Sequence, residues 1–184
     1  VKSYFKKLAG WQLVHSENDP SGQGLERLVF FKDYGTGKKI YLVADAYRGD
    51  KMKGCLEDFF RSLSGEKSDV VTVNKEKIAI FNQADLLVFN GHNGLMDTSV
   101  KSFENEDGVM KDAAVIPCIS TDFFFNEPLN FLKVYSVLTT TSLLAPEVYV
   151  LESLVENWAV LNDGNSFKIA AGKAYHRFQK CKII

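Results

Sequence analysis

Asp85-Leu86-Leu87-Val88-Phe89-Asn90-Gly91-His92-Asn93-Gly94 joins four consecutive apolar residues to an abrupt polar, glycine-rich ending. An apolar run this short, without polar alternation, reads as a strand buried on both faces, and such strands belong to parallel sheets covered by helices. Three other stretches have the same form. Ile40-Tyr41-Leu42-Val43-Ala44 runs into Asp45-Ala46-Tyr47-Arg48-Gly49. Ala113-Ala114-Val115-Ile116 runs into Pro117-Cys118-Ile119-Ser120, and Val134-Tyr135-Ser136-Val137-Leu138 into Thr139-Thr140-Thr141-Ser142.

Helical patterns lie between and after these runs. Met52, Cys55, Leu56, Phe59, Phe60 and Leu63 form one stripe at helical spacing, with Asp50 as the expected N-cap. Pro146 suits a first helical turn, and Val148, Leu151, Val155 and Trp158 give the following helix a face. Asn162-Asp163-Gly164-Asn165 breaks that helix, Ser166 caps the next, and Phe167, Ala170, Ala171, Ala174 and Phe178 form its buried side. Upstream, Leu25–Phe31 and Lys39–Ala46 read as a hairpin across Asp33-Tyr34-Gly35-Thr36-Gly37. Residues 1–24 are mixed, with a turn at Asn18-Asp19-Pro20-Ser21-Gly22, and Val70–Val73 and Ile78–Ile80 are too short to assign. Alternating strands and helices predict an α/β fold, a three-layer αβα arrangement around a mostly parallel sheet, in one domain spanning 1–184. Residues 1–38 form an N-terminal extension and hairpin strand of that domain.

Composition narrows the classes of function. The chain has 184 residues, 46% of them hydrophobic and 14 of them Phe, which is enough to build a core without covalent staples. Lys and Arg number 22 against 23 Asp and Glu, so no basic excess points to nucleic acid. No apolar run is long enough for a membrane span. No CxxC, HExxH or glycine-rich phosphate loop occurs, so neither metal nor cofactor is expected, and the G-x-S-x-G elbow of α/β-hydrolases is missing. Three cysteines, Cys55, Cys118 and Cys181, make no regular framework; a Cys55–Cys181 pair leaving Cys118 free and three free thiols both stay open, the second being commoner. Val1 rather than Met stands first, which inclines the expected compartment slightly toward export.

Ligands of an open parallel sheet bind beyond the carboxyl ends of its strands. Two of these ends carry His92 and Cys118. An imidazole that removes a thiol proton makes a strong nucleophile, and adjacent strand ends bring the two together without sequence proximity. The glycines beside His92 let backbone N–H groups approach a developing negative charge.

An apolar strand ending in His-Gly, followed by a second apolar strand ending in Cys, resembles the caspase-like cysteine peptidases: caspases, metacaspases, gingipains, clostripain and legumain. The resemblance covers about residues 39–140, carried by Asp85–His92 and Ala113–Cys118 in the family's order. Thr139–Trp158 also resembles bacterial proteins of that fold whose activity is not known. The resemblance implies a peptide or protein substrate, a catalytic pair of His92 and Cys118, and an oxyanion site built from backbone at Gly91, Asn93 and Gly94 and at Cys118. It also implies a substrate pocket near Asp45 and Arg48, to which Thr140 and Thr141 contribute hydroxyls. A carboxylate there favours a basic side chain and a guanidinium an acidic one, so the preference stays open. Two departures motivate an alternative, a non-catalytic caspase-like domain that binds a peptide or protein partner: Asn93 stands where Gly follows His, and Pro117 precedes the Cys. His92 and Cys118 are also closer than the roughly 50 positions of the caspase pattern, which a smaller connector accommodates. A flavodoxin-like domain with an unrelated ligand is a third possibility.

Each residue also has a structural reading. Cys118 suits a core and His92 a loop, while His15 and His176 suit surface or packing roles. Asp45 and Arg48 suit ion pairs with each other or with Asp50. Asp97 is expected to cap a short helix at Thr98-Ser99 rather than to orient His92, and Glu152 and Glu156 to lie on a solvated helix face.

Overall fold

The computed structural model describes the whole chain except residues 19–21, 23, 36, 126–128, 131, 145–146, 161–163 and 181–184. Its elements are α1 (Lys2–Phe5), β1 (Gln12–Asn18), β2 (Gly24–Asp33), β3 (Lys39–Tyr47), α2 (Met52–Ser64), β4 (Ser68–Val73), β5 (Glu76–Phe81) and β6 (Leu86–Phe89). There follow β7 (Lys111–Val115), α3 (Ser120–Phe124), β8 (Val134–Leu138), α4 (Val148–Val160) and α5 (Gly164–Gln179). The fold is α/β. Among the described residues, the parallel part is one sheet of three strands in the order β6-β7-β8. Strands β1-β2-β3 form an antiparallel sheet and β4-β5 an antiparallel hairpin. The expectation of a mostly parallel sheet is therefore met only from β6 onward.

Side-chain alternation explains how these pieces share a core. Leu86 and Val88 of β6, Ala114 of β7 and Val137 of β8 pack with α4 and α5. Leu28, Phe30, Leu42 and Ala44 of the antiparallel sheet join the same cluster. Leu87, Phe89, Ala113 and Val115 point the other way and pack with Leu56, Phe59, Phe60 and Leu63 of α2 and Phe124 of α3. On β3, Ile40, Leu42 and Ala44 belong to the first cluster, whereas Tyr41 and Val43 pack against Val71, Val73 and Ile80. The two apolar faces of Ile40–Ala44 are thus both covered, one of them by a hairpin. Phe5 and Trp11 are buried in the first cluster, so the N-terminal residues are part of the core.

Local chemistry sets the boundaries. The stripe expected of α2 is observed, and Gly65, in the left-handed region with φ 94°, ends the helix where a side chain would be strained. Asp50 does not cap it; Gly49–Lys51 form a 3-10 turn and Asp50 pairs with Arg48. Helix α5 begins at Gly164, so Ser166 lies inside it; Pro146 and residues 162–163 fall outside the described residues. The β4–β5 turn has Asn74 and Lys75 both at positive φ, the two-residue hairpin geometry that matches strand twist.

Glu156 is not on a solvated face. It accepts hydrogen bonds from Trp11 Nε1 at 2.7 Å and Lys32 Nζ at 2.7 Å, pinning α4 to the antiparallel sheet. Burial, aided by the Glu156 charge, raises the pKa of Glu152. No helix among the described residues is long and apolar enough to cross a membrane.

Candidate active site

Parallel pairing brings the carboxyl ends of β6, β7 and β8 to one edge, with Phe89 opposite Val115 and the Ile116 N–H donating to the Phe89 carbonyl at 2.9 Å. The segments that follow, 90–97, 117–121 and 139–144, are therefore neighbours. The first turns through a 3-10 turn at Gly94–Met96. Gly94 lies against α2, where an added Cβ would sit 2.3 Å from Met52 Cγ and 3.1 Å from Leu56 Cδ1. Gly94→Ala is thus expected to cost about 1–3 kcal/mol by overpacking. Gly91 faces open space, so Gly91→Ala should stay within about 0.5 kcal/mol. Thermal denaturation of the two variants checks the contrast, and equal losses would mean that Met52 yields freely.

Asn93 is the residue whose role the sequence did not disclose. It is fully buried, and its Nδ2 donates to the Cys118 carbonyl at 2.6 Å, tying the two loops together by a side chain. Its Oδ1 has no partner among the described residues. The expectation gave Asn93 only a backbone role; the one legible signal was an amide side chain in a turn otherwise made of Gly and His.

The Cys118 loop is tightly laced. The Ser120 hydroxyl donates to the Val115 carbonyl at 2.7 Å and accepts the Thr140 N–H at 2.8 Å. The Thr140 hydroxyl donates to the Pro117 carbonyl, so it fastens the loop and is not turned to a cleft, whereas Thr141 is exposed. Ile119 is held at φ 49°, ψ 39°, a left-handed conformation that a β-branched residue adopts at a cost of about 1–3 kcal/mol. Strain of this kind beside a candidate nucleophile is retained only where neighbours over-determine the backbone. The half-buried Cys118 thiol donates to the Leu144 carbonyl at 3.1 Å, and the Leu144 N–H donates to Sγ at 3.3 Å.

His92 Nε2 lies 2.5 Å from Asp97 Oδ2. Asp97 therefore engages His92 and caps no helix: it follows the 3-10 turn, its own N–H bonds the Gly94 carbonyl, and residues 98–100 are not helical. Both side chains are mostly exposed, at 58% and 66%. Among the described residues no hydrogen bond joins His92 to Cys118. The Gly94 N–H is taken by the His92 carbonyl at 3.0 Å, whereas the N–H groups of Gly91, Asn93 and Cys118 donate no hydrogen bond within the described residues.

The two charged pocket candidates are engaged elsewhere. Asp45 takes a two-pronged bond from Arg27, at 2.7 and 2.8 Å, and Arg48 pairs with Asp50 at 2.9 Å. The hydrogen bonds to Asp45 raise the Arg27 pKa further, against its burial. Neither Asp45 nor Arg48 is an unpaired charge awaiting a substrate. Of the other thiols, Cys55 is free but inert, since burial, with Asp58 adding to it, pushes its pKa up to about 12. Cys181 lies outside the described residues. Among the described residues, no three His, Cys, Asp or Glu side chains converge as metal ligands do. Comparison with protein-family models, curated proteins and solved structures finds no match.

Proposed function

We propose that the domain is a cysteine-dependent hydrolase of caspase-like type that cleaves peptides, with Cys118 as nucleophile, His92 as its base and Asp97 as the carboxylate that orients His92. The observation that carries this reading is the Asn93 Nδ2 bond to the Cys118 carbonyl at 2.6 Å, which joins the loop bearing the imidazole to the loop bearing the thiol. The layering supports a three-layer caspase-like arrangement, with α4 and α5 against one face of β6-β7-β8 and α2 and α3 against the other.

The chemistry follows from the atoms. Asp97 accepts a proton-bearing Nε2, which leaves the Nδ1 lone pair of His92 as the base. Because His92 and Asp97 are both mostly exposed, the pair has room to move together toward Cys118, and catalytic hydrogen bonds are often loose in a resting enzyme. His92 takes the thiol proton as sulfur attacks the peptide carbonyl. The proton then passes to the departing amine, and water hydrolyses the thioester. The unused N–H groups of Gly91, Asn93 and Cys118 are donors available to the oxyanion.

Cys118→Ala is expected to reduce cleavage of a responsive fluorogenic peptide by about a thousandfold or more. Asp97→Asn is expected to lower kcat by at least about tenfold with little change in KM. Undiminished turnover by Cys118→Ala rejects the mechanism. A second reading, a peptide-binding domain without catalysis, is favoured by the engagement of Sγ with both backbone groups of Leu144. Covalent capture of Cys118 by a peptide-based electrophile, lost in His92→Ala, separates the two.

A further inference from the structure

We propose that residues 142–144 are an autoinhibitory strap whose Leu144 main chain engages the Cys118 sulfur, so that the thiol is released only when this segment is displaced. The inference rests on the reading of Cys118 as the nucleophile.

The contacts fall on alternate residues. Thr140 accepts the Thr121 N–H at 3.0 Å through its carbonyl, and Ser142 accepts the Ile119 N–H at 3.0 Å through its own. Leu144 then engages Cys118 through both its N–H and its carbonyl. The chain bends at Thr141 and Ser142 after β8 has ended, and this bend carries the backbone across the Cys118 loop and onto the sulfur. A peptide carbonyl approaching Sγ meets the Leu144 main chain first.

Both reactive features of the sulfur are consumed by it. The S–H proton is directed to the Leu144 carbonyl and away from His92. A sulfur lone pair accepts the Leu144 N–H and so is not directed at an incoming carbonyl. The strap is held at one end. Leu144 packs against the first core cluster, whereas Ser142 and Leu143 are exposed, Leu143 at 72%. Among the described residues, the Ser142 bond to the Ile119 N–H is the one backbone bond from 142–144 to the Cys118 loop beyond the sulfur contacts, and exposed segments with few such bonds open at lower free energy than the core. A peptide that supplies its own carbonyl to the Ile119 N–H replaces what the strap gives up.

The test is the rate at which iodoacetamide alkylates Cys118 at neutral pH, located by peptide mapping. Wild type is compared with Leu144→Pro, which lacks the N–H, and with Ser142→Gly/Leu143→Gly, which loosens the chain. Each is also made with His92→Ala. Cys118 is expected to react at least about tenfold faster in both opened variants, with half-buried Cys55, whose thiol lies outside the strap, unchanged as the marker of an intact fold. Equal rates in wild type and both variants overturn the strap. Acceleration that His92→Ala leaves untouched keeps the strap and rejects the dyad, so the two failures are distinct. Should the opened variants unfold, which a faster Cys55 would reveal, hydrogen exchange in Cys118→Ala decides. The Leu144 amide is then expected to exchange about tenfold faster than in wild type while that of Ile119 keeps its protection. An equal Leu144 rate in the two proteins overturns the proposal.

Discussion

Asp45→Ala is expected to lower the free energy of unfolding by about 3–5 kcal/mol, because it strands a buried guanidinium. Arg27 is only 5% exposed, and Asp45 is the partner that meets it in two-pronged geometry. The other carboxylates near it stand farther off, Asp69 at 3.6 Å and Glu17 at 3.9 Å, and both are more exposed than Asp45. They soften the loss but cannot replace two charge-assisted hydrogen bonds. The Phe81 ring, 5.5 Å from the guanidinium, adds a weak attraction that also survives the change. Replacing both partners by apolar residues, as in Arg27→Met/Asp45→Leu, removes the stranded charge along with the pair. The double variant should therefore lose clearly less than the sum of the single losses. Urea denaturation of the four proteins measures the coupling. A loss below about 1 kcal/mol for Asp45→Ala would show that water reaches Arg27 after all.

Phe60→Ala carries the other large effect, an expected loss of about 3–5 kcal/mol. Phe60 is fully buried and stacks on Phe103 at 5.7 Å and on Phe124 at 5.9 Å, with Phe59 edge-on at 5.6 Å. The void left by the ring would adjoin neighbours that are themselves tied to the site. Phe124 belongs to α3, directly after the Cys118 loop, and contacts Phe89, the last residue of β6 before the His92 turn. A cavity at Phe60 is thus expected to loosen both loops of the proposed site, so the proposed peptidase activity should fall more than the folded fraction alone accounts for. Denaturation melts run beside peptide-cleavage rates check both halves. A stable variant with unchanged turnover would show that the aromatic cluster collapses around the gap.

The sequence was most legible where packing is one-sided and regular. The α2 stripe, the runs that became β6, β7 and β8, and the hairpin of β2 and β3 follow from periodicity. What escaped had competing causes. Strand β1 hides its alternation because its register against β2 shifts between Leu13 and His15. The β4–β5 hairpin lacks the Asn-Gly signature, since Lys75 takes the positive φ usually given to glycine. Ile40–Ala44 is apolar on both faces, but not as a central parallel strand between helices: it pairs antiparallel with β2, and one face is covered by the β4–β5 hairpin. At the site, the positions of His92 and Cys118 at neighbouring strand ends could be read from strand order. The Asn93 clamp, the Leu144 contact and the Asp97–His92 pair could not, because each is made by a loop whose path depends on tertiary packing. Glu156 was misassigned for the same reason: its partners, Trp11 and Lys32, come from far earlier in the chain.

The strand pairing also orders events in time. Hairpins β2–β3 and β4–β5 close over short loops, whereas β6, β7 and β8 pair in parallel across long connections, and distant contacts form late because loop-closure entropy is spent before they are gained. The ribosome delivers Cys118 before it delivers Leu144. A nascent chain thus presents an uncovered thiol until β8 and the residues after it have emerged and docked. Sensitivity to oxidation should be concentrated in that interval, and alkylation of stalled chains of increasing length would show protection of Cys118 only once Leu144 has cleared the exit tunnel.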